Sequence, residues 1–138
     1  MTYRHSRQAV AYQGAVTVDW ENTLGTDARR FFLRLFARTG ISRSTVIRKA
    51  NINRTYGYQI MNGTRCGKRD YYIAIAIAMH LDLDTTQWML AVCGAGVLYP
   101  PLRRDAAIIT AIENRMDFYA LHNLLRANGL PPLDTGIK

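Results

Sequence analysis

The chain repeats itself. At an offset of 35 residues nine positions from residue 69 onward are identical: Arg69/Arg104, Asp70/Asp105, Ile73/Ile108, Ala76/Ala111, Ile77/Ile112, Asp82/Asp117, Leu90/Leu125, Gly94/Gly129 and Leu98/Leu133. Leu81/Met116 and Met89/Leu124 keep their apolar character at the same offset. Two unrelated amphipathic helix pairs would align some apolar residues by chance. They have no reason to align an Arg-Asp pair and a glycine as well. The echo predicts a helical hairpin over 69–94 and another over 104–129, each burying its apolar face by stacking.

Upstream of the repeat the spacing is helical again. Phe31, Phe32, Leu35 and Phe36 follow one face, and Arg30, Arg34 and Arg38 another; Thr26 is a candidate start and Gly40 a candidate end. Ser42 caps a second helix with Val46, Ile47 and Ala50 as its apolar positions. Asn51 follows, a residue that tolerates the left-handed conformation, and Ile52 is apolar enough to plug a turn. Asn53 then caps a third helix that Asn62-Gly63 ends. Asp70 starts a fourth helix, apolar nearly all round, and Asp84 with Gln87 suggests a capping box on a fifth. Before Thr26, Val10, Tyr12, Gly14, Val16, Val18 and Trp20 alternate, which suits either an extended segment or an arm without regular structure. Three parts follow: an arm over 1–26, a helical domain over 27–98 and a hairpin over 99–138.

Charge is segregated. Residues 28–69 hold eleven of the 18 basic residues and none of the ten acidic ones, leaving the rest of the chain at −3. A 42-residue window without a carboxylate is either a solvated face or the footprint of a polyanion partner, and the segregation favours the partner. Other classes find little support. The longest apolar run, Tyr71 to Met79, falls short of the roughly 18–20 residues that span a bilayer. No apolar stretch follows Arg4 and Arg7 as a secretory signal requires. Cys66 and Cys93 have no second Cys or His at metal-ligand spacing, so no metal or other cofactor is expected, and both read as reduced thiols of a cytoplasmic protein. His5, His80 and His122 fall in separate segments and form no catalytic set, so no enzyme is expected; His80 reads as a helix-end residue.

The stretch SRSTVIRKANINRTYGYQIMNGTR resembles the helix-turn-helix of the Cro/cI-like (XRE) DNA-binding family. Ser42, Val46, Ala50, Ile52, Asn53, Ile60 and Gly63 stand in the family's order and spacing, and the resemblance covers residues 27–94. It departs at Asn51 (usually glycine), Ile47 (usually alanine) and Gly57 (usually Ile or Val). The last two invite compensation, with Ile47 filling the space that Gly57 leaves. The resemblance implies a five-helix domain with the motif on its second and third helices, here followed by a hairpin repeating helices four and five. It implies that Arg54, Thr55 and Gln59 face base edges. Arg54 suits guanine O6/N7 and Gln59 suits adenine N6/N7. Arg43, at a helix start, should meet a phosphate. Arg65, Lys68 and Arg69 should touch backbone phosphates, while Tyr56 and Tyr58 serve either DNA or the core.

The expected function is a sequence-specific transcriptional regulator of double-stranded DNA. The alternative is a protein-interaction adaptor on the same scaffold. A homodimer is expected, since a single motif reads few base pairs. The hairpin 104–129, with Ile108, Ile109, Ile112, Leu121, Leu124 and Leu125, is the favoured contact and also a candidate surface for a protein partner; the N-terminal arm is the other candidate.

Overall fold

A computed structural model of the chain describes residues 20–136, with side chains from Gly25 onward. Among these residues the fold is all-helical: α1 (Trp20–Thr39), α2 (Arg43–Ala50), α3 (Arg54–Met61), α4 (Arg69–Ala78), α5 (Leu83–Val92), α6 (Arg103–Glu113) and α7 (Phe118–Ala127). Most of the expected arm lies outside the described residues. Its last part does not: α1 begins at Trp20, not at Thr26. Trp20, Leu24, Ala28 and Phe32 carry the four-residue spacing back through Gly25, so Thr26 falls inside the helix. Gly25 has its own reason to lack a side chain. A Cβ there would collide with the Gly63 carbonyl oxygen, and one on Gly63 would collide with the Gly25 carbonyl. Two glycines thus let the α1 backbone meet the end of α3.

The centre of the fold is α4, where every residue from Tyr71 to Ala78 is buried. It packs against α2, α5, α6 and α7, while α1 packs against α3 and α5. One apolar cluster runs from Phe32 on α1 through Ile60 and Ile75 to Leu121 and Leu125 on α7. Burying each such Leu, Ile or Phe contributes about 1.5–3 kcal/mol. The Phe32 and Tyr72 rings stack at 6.5 Å and tie α1 to α4.

The link from α2 to α3 is built from local choices. The Ser42 hydroxyl accepts the Thr45 N–H, Asn51 adopts φ 57° and ψ 45°, and Asn53 accepts the Tyr56 N–H. Ile52 plugs the turn at 4% exposure. Gly57 is buried against α2: a Cβ there would lie 2.8 Å from Ile47 Cγ1 and 3.1 Å from Ile52 Cδ1. The large Ile47 does occupy the space that Gly57 leaves. Helix propensity alone would favour replacing Gly57, by up to about 1 kcal/mol. The clash involves an inner carbon of a β-branched side chain, which cannot swing aside, so it wins. Gly57→Val is expected to cost about 1–3 kcal/mol in a thermal or denaturant melt, and Ile47→Ala in the same chain should recover part of that loss. Equal or raised stability of Gly57→Val alone would contradict the contact.

The two hairpins are copies down to their backbone. His80 and Arg115, 35 apart, both have φ 52°, and Gly94 and Gly129 have φ 67° and 66°. The N-caps are Asp82, accepting the Thr85 N–H, and Asp117, accepting the Ala120 N–H. The fifth helix is therefore capped by Asp82 and not by Asp84. Gln87 makes no capping box; its amide brackets Leu98, donating to its carbonyl at 2.9 Å and accepting its N–H at 2.7 Å.

The repeated Arg-Asp pairs form a reciprocal clamp. Arg69 grips Asp105 through two bonds of 2.8 and 2.7 Å and donates to the carbonyls of Gly96 and Val97. At the equivalent place Arg104 grips Asp70 at 3.1 and 2.9 Å and donates to the carbonyls of Pro131 and Pro132. Asp105 also accepts the Tyr99 N–H, and Asp70 the Asp134 N–H. Each arginine closes the loop after its own hairpin, and each aspartate anchors the loop after the other. Burial, the largest influence on Asp105, pushes its carboxyl up. The Arg69 hydrogen bonds, the Tyr99 N–H and the charges of both arginines outweigh it, leaving the group below the ordinary carboxylate value.

Candidate nucleic-acid interface

Helix α3 exposes its first turn. Arg54 and Thr55 are exposed, Tyr58 and Gln59 half-buried, and Gly57, Ile60 and Met61 point into the core. The Arg54 guanidinium sits 5.8 Å from the Tyr58 ring, close enough to be steered by it while remaining in solvent. Arg65 folds back over α3, 4.7 Å above the Tyr56 ring, with an Nη1–Oε1 contact of 3.4 Å to Gln59. Tyr56 in turn stacks on Tyr71 of α4 at 4.6 Å. Arg65, Tyr56 and Tyr71 thus form a three-layer stack that fixes the loop after α3 against the core. Tyr56 belongs to that stack more than to the surface. The loop gains a further hold where the Gly67 N–H donates to the Tyr72 hydroxyl at 3.0 Å.

At the start of α2, the Arg43 guanidinium lies 4.5 Å above the Phe36 ring, and its Nε is buried without a hydrogen-bond partner. Arg43, Ser42, Ser44 and Tyr58 line one open groove of about 540 Å³ with Leu33 and Phe36 of α1. Unpaired N–H groups at a helix start, two hydroxyls and a guanidinium on one groove suit an anion.

Arg69 does not belong to this surface. Its guanidinium is committed to Asp105 and two carbonyls, so it cannot also serve a phosphate. Lys68 stays exposed and pairs with the equally exposed Asp134 at 3.3 Å; the hydrogen bond to that carboxylate raises the lysine pKa. Such an exposed pair contributes little and yields readily to another anion.

The acid-free window is not one surface. Arg29 lies beside the α3 terminus, where a Cβ on Gly63 would come within 3.1 Å of the Arg29 Cβ. Arg30, Arg34 and Arg38 line a different groove, between α1 and α5. Arg48 and Lys49 occupy the last turn of α2, at the end away from Arg43. Arg29 and Leu33 were missed as site residues, although the i, i+4, i+7 spacing of Arg29, Leu33 and Phe36 puts them on one face and carried the signal. The cations on the α3 side are Arg29, Arg43, Arg54, Arg65 and Lys68.

Both cysteines are free; Cys66 is exposed, whereas Cys93 is buried and its thiol is pushed up to about 12 by that burial. His80 ends α4 in the left-handed conformation. Among the described residues no three His, Cys, Asp or Glu side chains converge on a point that could hold a metal ion, and no helix is long and apolar enough to cross a membrane. No family model, no curated protein and no solved structure matches the chain.

Proposed function

We propose that the chain is a sequence-specific, double-stranded DNA-binding regulator of the Cro/cI-like kind, reading the major groove with α3. The observation that carries this is the exposed first turn of α3, with Arg54 and Thr55, set among Arg29, Arg43, Arg65 and Lys68. Among the described residues, Asp134 at Lys68 is the one carboxylate paired with any of these cations. A helix is the right width for the major groove, and an exposed Arg with a Gln one turn later suits a guanine and an adenine edge. The rigid α2–α3 link and the Arg65–Tyr56–Tyr71 stack would hold those side chains in register. The protein works in this reading without metal, cofactor or catalysis. Two unpaired cysteines are in keeping with the cytoplasm.

A two-fold dimer remains part of the proposal, but not through the apolar stripe of the second hairpin. Ile108, Ile112, Leu121 and Leu125 are at most 5% exposed within the chain itself, and Ile109 and Leu124 are partly covered. Arg54→Ala is expected to cost about 1–3 kcal/mol on the preferred duplex and far less on unrelated duplexes. Mobility-shift titrations on both would show it. Equal losses would reduce Arg54 to a phosphate contact.

A further inference from the structure

A second surface lies roughly 130° around α1 from its α3 side, taking about 100° per residue. Arg30, Arg34 and Arg38 follow one another at four-residue spacing along about 12 Å of helix. All three are exposed, and none makes a side-chain hydrogen bond or an ion pair with another described residue, although the Arg38 charge is felt by Asp82. They line a groove of about 490 Å³ with Phe31 and, from α5, Trp88.

Trp88 is 66% exposed. The repeat shows that packing does not require an indole there, because the equivalent position on α7 is the exposed Asn123. A solvent-facing Trp beside arginines that form no ion pair among the described residues is the composition of binding hot spots. The charge selects an anionic partner. Asp27 and Asp84 line the same groove, and they would repel a continuous phosphate backbone. A polypeptide can place its carboxylates opposite the arginines alone.

We propose that this groove docks an acidic segment of a protein partner, with carboxylates on Arg30, Arg34 and Arg38 and one bulky apolar side chain against Trp88. The surface faces away from α3, so the proposal stands whether or not α3 reads DNA.

Selection of a random-peptide display library on the full chain tests it, with binding of the winners measured to Trp88→Ala and Arg34→Glu. Both positions are exposed, and thermal melts would verify that each variant keeps the fold. The expected winners carry net negative charge and an aromatic or leucine residue, and each variant weakens them about tenfold or more. Winners without acidic residues, or insensitive to both variants, would overturn the proposal. So would tighter binding of a single-stranded oligonucleotide that Arg34→Glu abolishes, which would make the groove a nucleic-acid site. Self-association of the full chain that Trp88→Ala abolishes would assign the groove to a second copy and also overturn it.

Discussion

Asp105→Asn is expected to lower the unfolding free energy by about 3–5 kcal/mol, the usual cost of breaking one side of a buried ion pair. The Asp105 side chain is 3% exposed and takes both Arg69 nitrogens and the Tyr99 N–H. An amide would leave the Arg69 charge half-buried without its hydrogen-bonded carboxylate, with only the Asp70 charge nearby. Chemical denaturation of the full chain measures the loss. Lys68→Ala provides the contrast: its pair with Asp134 is about two-thirds exposed on both sides, so solvent screens it and little change in stability is expected. Arg69→Met with Asp105→Leu should recover much of the single-variant loss, because an apolar pair needs no desolvated charge. The pH dependence follows from the same pair. Asp105 is held below its ordinary value in the folded chain, so its contribution is complete above the unfolded value of about 4 and is lost as pH falls through the folded value. Melting points should drop with acid below about pH 4, and Asp105→Asn should remove part of that drop. A variant as stable as the parent would mean that the clamp does not hold the hairpins together.

Affinity for duplex DNA is expected to fall steeply with salt. Each phosphate contact releases condensed counterions worth a log–log slope of about 0.9. Three or four of Arg29, Arg43, Arg65 and Lys68 in contact with phosphates, with Arg54 on a base edge, give a slope of about 2.7–3.6. Between about 50 and 200 mM salt that is a loss of roughly 40- to 150-fold. The whole basic window would give a slope near 10, but Arg69 is spent on Asp105 and Arg30, Arg34 and Arg38 line another groove. Fluorescence anisotropy at several salt concentrations separates these values. A slope near 10 would return the whole window to the interface, and a slope near zero would remove phosphate contact altogether.

What the sequence made legible follows from the range of each interaction. Ser42, Asn51, Ile52 and Asn53 act within a few residues of themselves, so their roles can be read from propensity and capping chemistry. The doubled hairpin was legible because charges and glycines recurred with the apolar residues. The partner of Arg69 was not, because thirty-six residues separate it from Asp105 and a basic residue in a basic window reads as surface. The recurrence of Arg-Asp as a pair was the signal that those charges face each other. The start of α1 was missed because Gly25-Thr26 resembles a boundary; the glycine answers to Gly63, a contact no local rule reveals. Helical spacing put Arg29 on one face with Leu33 and Phe36, but only the approach of α1 to α3 brings that face to the site.

Selection of duplex DNA from a random-sequence pool by the full chain tests most directly whether α3 reads DNA, followed by affinities of the winner for the parent chain and for Arg54→Ala with Gln59→Ala. The expected result is convergence on one short motif. The double variant should bind that motif no better than unrelated duplex while keeping most of the parent's salt slope, since its remaining cations contact phosphates and not bases. Failure of the pool to converge, or a motif that the double variant binds as tightly as the parent, would contradict a DNA-reading α3.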